Sequence, residues 1–315
     1  DLKVVLDDSH YWQDVSYHLW TATGTNTAAT TKNVVPQLGA ADLEPAIFQE
    51  TANLGSNAAL TTAQLGNLVT NTALLQTFGI AVNNVLYSAL QTAQSTTGVP
   101  SIPSTFIQSL VNAGGVANSS VKNWGYLLGN TNLGQINICR RTAGSGTQAG
   151  ANLLFSPFKE AILGKLDSDD GAGNTIGSSG IQNINEAGST GGVKTCLNNA
   201  DLAAAAGAYA IGYIGYENKP VAGTDTWKFV KLDGYTADIA NAQAGLYSYA
   251  FESTFNYNKS LSGAAKQFAD AIVTEAANPA VVANLTADLR TAVVPVASST
   301  ATRGGNSRNP LKVVK

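Results

Sequence analysis

Between Gln135 and Phe155 the hydrophobic pattern changes period once. Ile136 and Ile138 alternate with polar neighbours, the two-residue repeat of a strand. After Thr147 the apolar residues recur at helical spacing. The change falls on Gly144-Ser145-Gly146-Thr147, with Arg140 and Arg141 where the strand ends.

The same reading, run along the chain, predicts a strand at Leu2–Leu6, a turn at Asp7–His10 and a helix at Tyr11–Trp20. A loop follows over Thr21–Lys32. Leu60–Leu75 reads as an amphipathic helix and Phe78–Leu86 as a strand able to cross between two parts of the molecule. Ser104–Leu110 reads as a helix bounded by Pro100 and Pro103. Val121–Gly129 reads as a turn in which Trp124 is a packing anchor. The helix after Thr147 is expected to run through Leu166. Further on, Gly188–Leu197 resembles a second helix N-terminus, and Leu202–Ala210 reads as helical. Ala210–Tyr216, Trp227–Leu232 and Gly245–Phe251 read as strands. Ser262–Ala277 is a helix with Ala264, Phe268, Ile272 and Ala276 at helical spacing, and Val281–Val293 is another. Strands and helices thus alternate, which predicts an α/β fold with a largely parallel sheet.

Composition narrows the setting. The 315 residues are 44% hydrophobic, ample for a core, but only 12% charged, about half the usual share. Thr, Asn, Gln, Ser and Gly must cover the surface, a composition commoner in exported proteins. The formal net charge of −3 argues against nucleic acid or an anionic membrane as partner. The sequence holds no methionine, so the expectation is a processed, exported chain whose leader has been removed. No apolar run reaches the roughly 18 residues of a membrane span. In an oxidising compartment Cys139 and Cys196 are expected to form a disulfide, the alternative being two buried thiols.

Candidate chemistry centres on the turn after Ile138. A helix N-terminus carries unpaired N–H groups and a partial positive charge, Ser145 and Thr147 add hydroxyls, and an arginine pairs an oxyanion bidentately. This predicts an anion-gripping turn; the alternative is a well-capped helix with exposed arginines. Asp42, after Gly39 and two alanines and shortly before Pro45, is either a helix cap or an acceptor for a ligand that brings a proton. Asp167–Gly180 is polar and glycine-rich but lacks the glutamate of a calcium loop, so it reads as an exposed insertion. His10 and His18 are too far apart for one metal, and no nucleophile elbow, P-loop or dinucleotide fingerprint is present. The chain is therefore read as a non-enzyme without cofactor or metal.

Several of these pieces together resemble a family. Arg141-Thr142-Ala143-Gly144-Ser145-Gly146-Thr147 resembles the R-x-D-G-S-G-T turn of phosphate-binding proteins, the extracytoplasmic receptors of phosphate ABC transporters. Gly39-Ala40-Ala41-Asp42 resembles their G-A-S-D turn and Ala210-Ile211-Gly212-Tyr213 their A-I-G-Y strand. Trp124 sits where the family often has a tryptophan, and Tyr247–Glu252 looks like its return crossing. The resemblance covers roughly residues 34 to 255. It implies a two-lobed periplasmic-binding-protein-like fold with two crossing segments: residues 1–78 plus 248–315 as lobe one and 79–247 as lobe two. It further implies a phosphate-like oxyanion between the lobes and a transporter permease as partner. Arg141 would pair the anion, Ser145, Gly146 and Thr147 would donate to it, and Asp42 would accept its proton. Two departures stand out. The family's aspartate in the R-x-D-G turn is Ala143 here, and its small-residue first loop is Asp7-Asp8-Ser9-His10, in which Ser9 is the only matching donor. These departures, and the near-repeat of LKVV at the two ends of the chain, support an alternative: an extracellular structural subunit that reuses the fold and self-assembles through its terminal strands.

Overall fold

The computed structural model describes residues 3–6, 13–17, 30–34, 37–54, 58–112, 125–129, 136–156, 165–166, 182–202 and 209–314. The expectations for Asp7–His10, including Ser9, for Trp124 and for Asp167–Gly180 lie outside these residues.

Three N-terminal strands, β1 (Lys3–Leu6), β2 (Gln13–Tyr17) and β3 (Thr30–Val34), form a small antiparallel sheet. Within the helix expected at Tyr11–Trp20, the described residues Gln13–Tyr17 are strand. Asp-Val-Ser-Tyr alternates polar and apolar residues, as a strand does, and the segment pairs with β1 on one side and β3 on the other. The end of the expected loop, from Thr30, is β3.

The ten-stranded main sheet is mixed rather than largely parallel. Its spine is a single long strand, β5 (Leu68–Asn83). Residues 68–77 pair antiparallel with β12 (Ala250–Asn258), which in turn pairs with β4 (Gly39–Ala41). Residues 78–83 of β5 pair with β10 (Tyr209–Gly215) and β11 (Trp227–Leu232). Beyond β10 the sheet continues in parallel through β7 (Ile136–Arg141), β9 (Gln182–Ala187) and β8 (Lys165–Leu166). The short strands β6 (Ser101–Ile102) and β13 (Val293–Pro295) attach to β11 and β5.

Half of the expected helix at Leu60–Leu75, from Leu68 on, is therefore strand. Only Thr62–Gly66 is helical, closed at its start by a capping box in which Thr61 and Gln64 exchange hydrogen bonds. After Gly66 the segment Leu-Val-Thr-Asn-Thr enters the sheet, where its β-branched residues are favoured. The expected strand at Phe78–Leu86 is the end of β5; from Asn84 the chain is helical to Ala93, with the Asn83 side chain capping Leu86 N–H.

Helix α1 (Gly146–Phe155) follows β7 as expected, but it stops at Phe155, before Pro157, and Leu166 lies in β8. Helix α2 (Thr190–Leu202) follows β9, and the helical reading of Leu202–Ala210 extends beyond it into β10. The strand expected at Gly245–Phe251 begins only at Ala250. Helix α3 (Gly263–Ala276) matches the expected span, but its covered face centres on Ala269, and Phe268, about 100° round the helix, is 68% exposed. Val281–Val293 is not one helix: Pro279–Val282 and Ala287–Ala292 are separate turns of helix, and Val293 opens β13. The C-terminal strand β15 (Lys312–Val313) pairs with β14 (Ala301–Thr302) of the same chain. Both terminal strands are thus already paired internally.

Parallel strands β10, β7 and β9 share one C-terminal edge, and the site is built there. Alternation along β7 sends Ile138 to the α1 side of the sheet and Cys139 to the α2 side. Under α1 lies an aromatic layer of Phe78, Tyr213, Tyr249 and Phe251, joined by Phe155 of the helix itself, all about fully buried. Phe155 stacks on Tyr213 at 5.7 Å and meets Tyr249 edge-on at 5.5 Å. Each such ring contributes about 2–3 kcal/mol by burial. Helix α1 lies close on this layer: a Cβ at Gly150 would come within 2.8 Å of the Phe251 ring. The layer fixes the helix, and so fixes where its N-terminus points.

Candidate functional site

The turn joining β7 to α1 is tied down on both sides. Thr142 N–H donates to the Ala187 carbonyl at 3.1 Å, continuing the β7–β9 pairing. Gly144 adopts φ +90°, a conformation that favours glycine, and its N–H donates to the Asn53 carbonyl at 2.8 Å. Ser145 is the N-cap in extended conformation, and its side chain makes no capping bond. The first helical acceptor is its carbonyl, taken by Ala149 N–H at 2.9 Å. The amides of Gly146, Thr147 and Gln148 therefore have no intrahelical acceptor and present the positive end of a ten-residue helix.

Asp42, at the end of β4, closes this end. A Cβ placed on Gly146 would overlap the Asp42 carboxylate and its Cβ. Glycine is required there because the acid occupies the space. Burial raises the Asp42 pKa above its ordinary value, and the nearby Arg141 charge partly offsets that. Burial correspondingly lowers Arg141, and Asp42 opposes the shift. A carboxylate with a raised pKa beside a cation and a helix N-terminus suits a ligand that carries both a proton and a negative charge.

Arg141 is seated rather than loose. Its Nε donates to the Ala187 carbonyl at 3.2 Å, Nη2 to the Gly188 carbonyl at 2.9 Å and Nη1 to Thr190 Oγ1 at 3.4 Å. The guanidinium fork is fixed by the segment between β9 and α2, leaving its other N–H groups for an anion. Arg140 points to the opposite face and forms an ion pair with Glu186. Of the residues expected at the site, Asp42, Arg141, Ser145 and Gly146 thus gather around one helix end. The Thr147 side chain is buried, and its carbonyl accepts the Tyr249 hydroxyl at 2.7 Å. Ser9 is outside the described residues. Cys139 and Cys196 form the expected disulfide, with Cα atoms 5.8 Å apart.

Two features escaped sequence reasoning. Asn53, buried, bridges the segment after β4 to the turn. Its carbonyl receives Gly144 N–H, its Oδ1 receives Asn152 Nδ2 at 2.8 Å, and its Nδ2 donates to the Ile47 carbonyl at 3.1 Å. Asn152 Oδ1 in turn receives Gln148 Nε2 at 2.8 Å. Glu217, just beyond β10, has its pKa raised first by burial and further by Asp42. Next to it the Lys219 ammonium sits over the Tyr216 ring, and burial lowers its pKa to about 8. The available signal was topological: charged residues following adjacent parallel strands share an edge.

Among the described residues no helix is long and apolar enough to cross a membrane. No family model matches the chain, and no curated protein matches it. Solved structures do resemble it. A protein from Clostridium perfringens, described as a phosphate ABC transporter substrate-binding protein with bound phosphate, is 17% identical, with 82% of this chain and 79% of that one covered and a TM-score of 0.48. An ABC-type phosphate transport receptor from Vibrio cholerae is 14% identical over 76% and 74%, with a TM-score of 0.46. A phosphate-binding protein from Stenotrophomonas maltophilia is 15% identical over 79% and 71%, with a TM-score of 0.44.

Proposed function

We propose that the chain is an exported solute-binding protein for phosphate or a related protonated oxyanion. The observation that carries this reading is the placement of the Asp42 carboxylate against Gly146 at the open end of α1, with the seated Arg141 guanidinium beside it. The helix amides and Arg141 supply donors and positive charge, and Asp42 demands a proton from the ligand. A fully ionised anion such as sulfate would set acceptor against acceptor there and be rejected. The ligand lies between a lobe of residues 1–78 with 248–315 and a lobe of residues 79–247, with Ser9 the donor expected from the first loop. A transporter permease is the partner that this role calls for.

Calorimetric titration of the purified chain with phosphate and with sulfate tests the reading. Phosphate is expected to bind and sulfate to bind far more weakly. Asp42→Asn, whose amide can donate, is expected to narrow the difference. Absence of both heat and a thermal shift at millimolar phosphate would overturn the proposal.

A further inference from the structure

All three hydrogen bonds that seat Arg141 end on one short segment, Ala187 to Thr190, between β9 and α2. Its first residue, Ala187, is paired to β7, and its last, Thr190, opens α2. A Cβ at Gly192 would come within 2.7 Å of the Ala187 Cβ, so the first turn of the helix lies directly on the residue whose carbonyl receives Arg141 Nε. On β10, a Cβ at Gly212 would meet the Cys139 carbonyl at 2.9 Å, and Val193 and Leu197 of α2 at 3.2 and 3.3 Å. Helix α2 thus packs closely on β10 next to Cys139. The disulfide from Cys196 to Cys139 crosses at this point, with both residues buried. Cys139 is two residues before Arg141 on the same strand and the same face of the sheet.

We propose that the Cys139–Cys196 disulfide is a positioning link for Arg141. It ties the helix that carries the arginine's acceptors to the strand that carries the arginine, and so holds the guanidinium fork in register with the helix end. Without the link, α2 can ride outward from β7 and carry Gly188 to Thr190 with it, while Ala187 stays paired to β7. This inference deepens the oxyanion reading and, for its effect on affinity, rests on it.

A double-mutant cycle separates positioning from general support. The variant Cys139→Ala/Cys196→Val keeps apolar volume in the buried site. Its affinity for inorganic phosphate is expected to fall ~10-fold, within the range found for residues coupled through one contact. In an Arg141→Gln background the same cysteine replacement is expected to cost less than ~2-fold, because the group being positioned is gone. Equal losses in the two backgrounds would overturn the proposal, as would an unchanged affinity. Unfolding of the cysteine variant, read by circular dichroism, would also overturn it, since the link would then support the whole fold. Hydrogen exchange of the same variant, without ligand, keeps the two readings distinguishable. Faster exchange confined to residues 188–193 supports the positioning link even if the wild-type chain binds no phosphate. Unchanged exchange there overturns the link whatever the affinity shows.

Discussion

The Asp42 carboxylate and the Cα of Gly146 are packed so closely that no side chain fits between them. An acid at the end of β4 thus meets the first residue of α1, and two segments about a hundred residues apart in sequence define one helix end. Gly146→Ala is expected to force the acid or the helix aside, lowering stability by about 1–3 kcal/mol, as overpacked sites do. Phosphate affinity should fall more than stability alone explains. Thermal melting and calorimetry on the same preparation check both.

Burial raises the pKa of Asp42 above 3.8 and that of Glu217 above 4.5. A carboxyl whose folded pKa exceeds its unfolded one binds its proton more tightly when folded. Stability is then greatest below the unfolded value and declines as pH rises through the folded one. Urea midpoints are expected to fall from pH 4 upward over the acid range on account of these two groups. Asp42→Asn with Glu217→Gln should flatten that decline; an unchanged profile in the double variant would refute the assignment.

Lys219 gives the opposite slope at the other end of the scale. Its folded pKa is lowered to about 8 from 10.5, so the unfolded chain holds the extra proton between those values. Its contribution to stability is present above the unfolded pKa and lost as pH falls to the folded one. Lys219→Met should remove a rise in stability between pH 8 and 10.5, measured by denaturant midpoints in that window.

Asn53→Ala would strand the Asn152 amide inside the protein, while the Ile47 carbonyl keeps the Glu50 N–H. An unpaired buried polar group costs about 1–3 kcal/mol, so a loss of that size is expected in chemical denaturation. Asn152→Ala added to it should cost much less than it does alone, because both act in one chain of hydrogen bonds.

How much of this was legible depended on how local the cause was. The β7 turn and α1 could be read from the chain because the change of period, the glycines and the cap all lie within twenty residues. Asp42 and Arg141 were recognisable as short motifs for the same reason. β5 was misread because Leu65, Leu68, Val69 and Leu75 fit a helical face as well as a strand, and what decides is pairing with β12, some 180 residues away. Tyr11–Trp20 failed similarly, since its partners on both sides determine its state. Asn53 and Glu217 carried no motif at all. Their importance comes from neighbours supplied by other elements: Gly144 and Asn152 for one, Asp42 for the other.

The sixteen-residue strand β5 has a mechanical consequence. It passes unbroken from its pairing with β12 to its pairing with β10 and β11. The two parts of the molecule share it as a beam rather than meeting at a flexible loop. Moving Asp42 away from Gly146 would bend or twist that beam, as a leaf spring flexes, and the spring's stiffness would limit how far and how fast the two can part.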